Sequence, residues 1–576
     1  MQPVDFTTLT ATCSELRRDW LPARVEQVYQ CDRYTIMMAL QTFEQRGWLA
    51  ISWHPQAARL HMGDPPPRIP DTFTFSQQLR HQLNRLVLVA IEAIAPWERV
   101  LDLQFAQRPG DPPRWHLYVE IMGKYSNVIL THSDHLIVTA AHQVNSQQSR
   151  VRPIQTGQPY EAPPALPGPL PNLQEPQSRW QERISLIPGP LQRTLLKTYS
   201  GLSSVLVKTL VRAAGLDPHQ STANLSPQDW QHLFHCWQQW LQSLEQLKFQ
   251  PGYWDAGYTV LGWNIQTAAP TIQDLLNNYY TKQLNQQAFN LLHHQLTQKL
   301  NSLVEKLKVK AQAFQDRLQQ SEQAEQYRQR ADLLMAHLHH WRPGMKVITL
   351  ADFETGESVT LPLNPEKNAV QNAQALYKQH QKLKRALLAV TPLLTDVKTE
   401  IHYLEQVEVL LTQVQSYNSP EDLWALEEIR TELIQQGYLK HPGIREPSPK
   451  QQKGCACHCY LSPSGFEVLI GRNNRQNDQL TFRTANEYDF WFHTQEIPGS
   501  HVLLRLEPGA VPDQADLQFA ADLAAYFSRA RQSERVPVVY TRPKYVYRPK
   551  GAKPGMVIYK QETVIWGEPQ VLGNRP

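Results

Sequence analysis

Several stretches of this 576-residue sequence carry side chains whose types and spacing could do chemistry. Cys455, Cys457, His458 and Cys459 crowd soft ligands together. On a strand the three cysteines share one face and His458 points away, and no second cysteine pair at zinc-finger spacing exists to close a tetrahedral site. The favoured reading is buried strand cysteines, with structural zinc as the alternative, and no metal or other cofactor is assigned. Asp489, His493 and His501 could form a catalytic or metal group, but no nucleophile stands at a recognisable spacing from them, and strand histidines are more often structural. Phosphate-loop, nucleophile-elbow and helical zinc-protease motifs do not occur. The expectation is a protein with no enzyme site of its own.

Basic side chains offer a different chemistry. From Thr541 to Lys560 the chain carries Arg542, Lys544, Arg548, Lys550, Lys553 and Lys560 with no acid, interleaved with Tyr545, Tyr547 and Tyr559. Cations alternating with aromatic rings suit phosphate pairing combined with base or ribose stacking. The alternative is a solvated edge strand on which lysines deter aggregation. A second basic run, from Lys367 through Lys378, Lys382, Lys384 and Arg385, meets no acid between Lys367 and Asp396. Gly201-Leu202-Ser203-Ser204 precedes an apolar helix and could present backbone N–H groups to a phosphate, or be only a helix cap and a packing glycine.

These residues need several elements to position them. At about 150 residues per domain the length implies roughly three to five units, and 41% hydrophobic with 19% charged residues fits a globular chain. A net charge of +4 is too small for binding nucleic acid by overall charge, so any such surface comes from local clustering. No apolar run approaches the 18 or so residues of a spanning helix, the N-terminus lacks a signal-peptide layout, and six cysteines do not make a disulfide scaffold. A cytoplasmic multidomain protein without membrane contact is expected.

The first 155 residues read as mixed α and β, with strands such as 115–121 and 127–130 burying one face, and a helical pattern from Phe75 to Ile94 carrying Leu79, Leu83 and Leu86. Six prolines between 163 and 176 predict a linker. Residues 177–260 read as helical. Leu296, Leu300, Leu303, Leu307, Phe314 and Leu318 form one heptad seam, and Leu383, Leu387, Val390, Leu394, Val397, Ile401, Leu404 and Leu411 a second. The two predict an antiparallel coiled coil with a β-hairpin insert at 345–363 and a kink or break at Pro392; a compact bundle is the alternative. About 55 residues per arm would reach on the order of 80 Å, suiting a large partner. A second linker precedes a C-terminal unit with turns at Ser462–Gly465 and Gly471–Asn474 and one helix from Ala515 to Ala530.

Over nearly its full length the chain resembles the RqcH/NEMF (NFACT) ribosome quality-control proteins. The matching stretches are 51–59, Glu120-Ile121-Met122-Gly123-Lys124-Tyr125-Ser126-Asn127, 361–365, 371–374, 382–384, 471–481 (which includes Arg472 and Arg475), 489–493, 498–502 and 551–555. The resemblance implies a multidomain α+β fold: a glycosylase-like NFACT-N domain (1–160), a linker (161–176), a helix-hairpin-helix domain (177–282), an antiparallel coiled-coil arm (283–440), a linker (441–454) and an NFACT-R RNA-binding domain (455–576). It implies binding to a stalled 50S subunit carrying peptidyl-tRNA, recruitment of tRNA-Ala, and mRNA-independent alanine tailing with peptide bonds made by the ribosome. A small S4-like RNA-binding protein is a further implied partner. The implied tRNA contacts are Glu98, Arg99 and Glu120 to Lys124; the RNA contacts are Arg472, Arg475, Lys544, Arg548, Lys550 and Lys553; the ribosome contacts are Lys378, Lys382, Lys384 and Arg385. The family's usual Asp-Arg dipeptide is Glu98-Arg99 here, and the cysteine cluster is not part of the family motif. Two other functions compete: a DNA glycosylase or lyase, which in related enzymes needs an N-terminal proline nucleophile whereas Pro3 is internal, and a surface adhesin, following the family's older name.

Overall fold

In the computed structural model, helix α1 (Phe6–Trp20) starts at Asp5, whose carboxylate accepts the Thr8 N–H at 2.8 Å. The described residues are all except 68–69, 146, 150–151, 256, 354–355, 441–456 and 574–576. The second linker and Cys455 therefore lie outside them. The chain divides into two compact units, residues 1–284 and 285–576.

In the first unit, β1 (Ala23–Asp32), β2 (Thr35–Gln41), β3 (Arg46–Ser52), β4 (Arg59–Gly63), β5 (Val87–Ala93), β6 (Val100–Ala106), β7 (Trp115–Glu120), β8 (Asn127–His132) and β9 (Ile137–Ala140) form one sheet in the order 4-3-2-1-5-6-7-8-9. The expected helical stretch 75–94 is only half helical. Helix α2 (Thr74–Leu83) buries Leu79 and Leu83, then Arg85 at φ 69° turns the chain into β5, where β-branched Val87, Val89 and Ile91 favour a strand. β7 is buried on both faces, where one buried face was expected. Leu117 and Val119 face the main core, while Tyr118 packs with Ile129, Ile137 and Ile154 on the other side.

The proline-rich stretch forms neither helix nor strand, but it is pinned: the Ser200 N–H bonds to Pro169 O at 2.9 Å and Gln238 Nε2 to Leu173 O at 3.0 Å. Helices α3 (Gln177–Ser185), α4 (Leu191–Thr198), α5 (Ser204–Ala213) and α6 (Pro227–Gln246) share a core of Trp180, Tyr199, Trp237 and Trp240. Two short strands, Gly252–Trp254 and Gly257–Thr259, interrupt the helical reading of 177–260, and a third, Thr267–Ala268, completes their sheet. The structure gives Gly201–Ser204 the cap and packing role. Ser203 Oγ accepts the Leu206 N–H and donates to Asp5 at 2.6 Å, and a Cβ on Gly201 would meet Trp97 at 3.1 Å.

The two heptad seams lie on α7 (Ile272–Glu322) and α9 (Ala369–Gln413). Ala311, Leu394 and Val397 bury together with Phe314, Leu318 and Ile401 against them. Leu296, Leu300, Leu404 and Leu411 instead meet Leu426, Ile429 and Leu433 of a third helix, α10 (Pro420–Gln435), so both alternatives hold in part: paired helices ending in a small bundle. Helix α9 runs unbroken through Pro392. Pro392 and Leu388 are exposed, so the Leu388 carbonyl that loses its i+4 donor lies on the solvent side. The break falls on the other arm, at Gln323, where α7 gives way to α8 (Ala324–Ala336). The insert is the expected hairpin, strands Val347–Ala351 and Ser358–Pro362, with its own core of Leu333, Leu334, Ile348, Leu350, Leu361 and Leu363.

The C-terminal part of this unit is a six-stranded antiparallel sheet with edge strand His458–Leu461 and inner strands Glu467–Ile470, Val502–Leu504, Phe490–Thr494 and Val536–Thr541, closed by Thr563–Gly567. Ser462–Gly465 is the turn expected. Gly471–Asn474 is not a turn, because Asn473 caps a short helix, α11 (Asn474–Gln479), through the Gln476 N–H at 3.0 Å. Helix α12 (Gln514–Tyr526) ends four residues early but buries Ala520, Ala521, Ala524 and Ala525 as its small residues imply.

Candidate nucleic-acid interface

Glu98 and Arg99 stand at the end of the loop between β5 and β6. Trp97, at φ 63°, anchors that loop by stacking on Phe6 at 4.7 Å and meeting Trp240 edge-on at 5.5 Å. The Arg99 carbonyl accepts the Ile121 N–H at 2.9 Å, which ties the 98–99 loop end to the start of the 121–124 segment although 21 residues lie between them. Arg99 is half-buried and has no ion-pair partner among the described residues; its guanidinium reaches only the Val4 carbonyl, at 3.5 Å. Among the described residues Glu98 and Arg99 form no ion pair with each other. Burial raises the Glu98 carboxyl, opposed by Arg99 and the Leu166 N–H.

The 120–124 stretch splits into an anchor and a displayed part. Glu120 and Ile121 are 1% and 2% exposed. Glu120 accepts both Arg152 nitrogens, one at 3.0 Å, and the Tyr160 hydroxyl at 2.9 Å, so its carboxylate is spent inside the protein and does not face RNA. Met122 and Gly123 are half-exposed, and Lys124 is exposed with its ammonium 4.9 Å over the Tyr125 ring, itself 70% exposed. A cation beside an open ring can pair with a phosphate and stack on a base.

In the second unit the basic, tyrosine-rich segment also divides. Arg542 lies 3.9 Å over Phe490 and donates to the Tyr488 carbonyl; Arg548 pairs with Asp478 at 3.2 Å. Lys553 donates to the Tyr438 hydroxyl, which donates to Glu400 at 2.9 Å, and lies 4.7 Å over Tyr403. Burial lowers the Lys553 ammonium, and Glu400 opposes that. Lys544 and Lys550 are exposed and without an acid partner among the described residues. Arg475 is half-buried and likewise makes no ion pair there, whereas Arg472 is tied to Asp422 at 3.1 Å. On α9, Lys378, Lys382, Lys384 and Arg385 are all exposed, and none is ion-paired among the described residues. Residues 378, 382 and 385 follow the i, i+4, i+7 spacing of one helix face.

Other clustered groups are structural. Burial lowers His493 to about 4 and His501 to about 3, keeping both neutral. His501 Nδ1 meets Thr481 Oγ1 at 2.7 Å, and Asp489 accepts the N–H groups of Asn486 and Leu506. Cys459 is exposed, not buried as expected, because it lies on the sheet's edge strand; Cys457 is half-buried.

Residues 5–453 match the family description "NFACT N-terminal and middle domains", and residues 456–561 match "NFACT protein RNA binding domain". The chain belongs to the NFACT family of RqcH/NEMF proteins. Its NFACT relatives include the Rqc2 homolog RqcH of Bacillus subtilis, 29% identical over 598 residues, and that of Streptococcus suis, 30% identical over 565. The alignments cover 96% of this chain, with 96% and 95% of those proteins. The C-terminal structure of the Streptococcus suis fibronectin/fibrinogen-binding protein is 34% identical, covering 49% of this chain and 95% of that one at a TM-score of 0.38. As an NFACT protein with its RNA-binding domain, the chain has a role in ribosome quality control. No described helix is long and apolar enough to cross a membrane.

The NFACT C-terminal signature is largely an intramolecular joint. Arg472 meets Asp422, Asn473 and Gln476 both donate to Glu428 at 2.6 and 2.8 Å, and Asn474 donates to Glu432 at 3.0 Å. These acids belong to α10; like Arg152 and Tyr160 around Glu120 and Tyr438 beside Lys553, they were missed in the sequence because no local spacing links them to the residues they bind. Arg472 was expected to touch RNA, but both partners of its ion pair are 13% exposed. Arg472→Ala should therefore destabilise the protein by about 2–3 kcal/mol by leaving Asp422 poorly compensated. Denaturant unfolding measures that loss, and an RNA-binding salt slope reduced by about 0.7 would return Arg472 to the RNA surface.

Glu432 makes the joint pH-sensitive. Burial pushes its carboxyl up to about 7, against the hydrogen bonds from Tyr403 and Asn474. The folded protein thus holds this proton more tightly than the unfolded chain, so the associated stability is full below about 4.5 and is lost as pH rises through about 7. Glu432→Gln should remove a pH dependence on the order of 3 kcal/mol across that window. Unfolding curves from pH 4.5 to 8 that stay parallel for the two proteins would refute it.

Proposed function

We propose that this protein is a cytoplasmic factor that binds a stalled 50S subunit still holding peptidyl-tRNA and recruits tRNA-Ala. An alanine tail is then added to the nascent chain without mRNA, marking it for degradation, and peptide bond formation is left to ribosomal RNA. The observation that carries this reading is Arg99, whose guanidinium makes no ion pair among the described residues and whose backbone carbonyl accepts the N–H of Ile121, at the start of the segment that displays Lys124 and Tyr125. An always-charged planar fork, with a lysine and an open ring on the segment that its backbone holds, suits the phosphates and an unpaired base of tRNA. The exposed cations on α9 suit ribosomal RNA, and a small S4-like RNA-binding protein is a further partner on this reading. Affinity purification followed by sequencing of bound RNA tests it. Large-subunit rRNA with enriched tRNA-Ala is expected; rRNA with no tRNA enrichment would overturn the recruitment step.

A further inference from the structure

Within the second unit, a cleft of about 510 Å³ lies between the last turns of α9 and the segment that follows α12. Glu408, Thr412 and Gln413 line one side, and Ser528, Arg529 and Arg531 the other. A space of this size fits a nucleotide-sized group.

Most of the polar wall is already committed. Gln413 donates to the Phe527 carbonyl at 2.7 Å and accepts from Ser500 at 3.2 Å. Arg529 bridges Glu405 and Glu408 at 3.1 and 3.2 Å, and Lys308 adds a second cation 3.4 Å from Glu405, so these charges balance. Arg531 is different. Its guanidinium carbon lies over the Tyr526 ring, 3.9 Å from the ring centre, with one nitrogen donating to the Tyr526 hydroxyl. It has no acid partner among the described residues. Contact with the ring and its hydroxyl holds the guanidinium in place, and a held fork is better preorganised for a phosphate than a mobile ammonium. The Tyr460 ring, 37% exposed, is within electrostatic reach of Arg531.

We infer that this cleft is a second RNA contact of the RNA-binding domain, in which Arg531 takes a backbone phosphate of an unpaired strand. The inference rests on the RNA-binding reading of the domain and adds a site away from Lys544 and Lys550.

The test measures binding of a labelled single-stranded RNA 12-mer to the full chain across a salt series. Arg531→Ala should weaken binding several-fold and remove about 0.7 from the log–log salt slope. Arg531→Lys should keep the slope but recover only part of the affinity. A double Lys544→Ala, Lys550→Ala variant is the comparison. If that variant loses affinity while both Arg531 variants match wild type, the cleft is not an RNA site although the domain is. If wild type binds no RNA, both readings fall. If a polyglutamate peptide binds in an Arg531-dependent way and RNA does not, the cleft is an acidic-peptide site and the inference is wrong.

Discussion

Arg99→Ala is expected to abolish tRNA recruitment and alanine tailing while leaving 50S association and fold stability nearly unchanged. The guanidinium makes one long bond to the Val4 carbonyl and no described ion pair, so its removal strands no buried charge. Stability should stay within about 0.5 kcal/mol of wild type, as for substitutions away from packed or paired sites. A charged, bidentate phosphate contact contributes about 1.5–3 kcal/mol, which is roughly 10- to 100-fold in affinity. Arg99→Lys keeps the charge without the planar fork and should restore only part of it. Glu98→Asp should be tolerated, because Glu98 does not grip Arg99 and the change restores the family's usual dipeptide. tRNA co-purification beside 50S co-sedimentation separates the two steps. Wild-type tRNA carriage by Arg99→Ala would show that the site lies elsewhere.

The second large effect is expected on the arm. Changing Lys378, Lys382, Lys384 and Arg385 together to glutamine should sharply reduce 50S association. All four are exposed, so the helix and the hairpin core of Ile348, Leu350 and Leu361 should survive the change. If each meets a phosphate, the salt slope should fall by roughly 0.7 per contact, or about 3 in all. Replacing 320–380 by a short turn is the harsher version and removes the hairpin as well. Unchanged co-sedimentation of the four-residue variant at every salt concentration would mean that these cations form only a solvated helix face.

Much of this protein is determined by local pattern. Heptad spacing placed two long helices and the hairpin between them, because leucines at 3.5-residue intervals can bury only against a partner helix. Proline density excluded helix and strand from 163–176, and the alanines of α12 announced close packing. The basic, tyrosine-rich character of the C-terminal segment was legible because cations and tyrosines alternate within 20 residues. Tertiary structure decided which of those groups are available. Arg472, Arg548 and Lys553 look identical to Lys544 and Lys550 in the sequence, yet Asp422, Asp478 and Tyr438 approach them from 50, 70 and 115 residues away and occupy them. Glu120 was likewise drawn inside by Arg152 and Tyr160. Arg99 was joined to Ile121, three residues before Lys124, by one backbone hydrogen bond between a loop and the residue that follows a strand. Local spacing sets which face a residue occupies, but ion pairing and burial depend on groups that only the folded chain brings within a few ångströms, where desolvation and Coulomb energy become large.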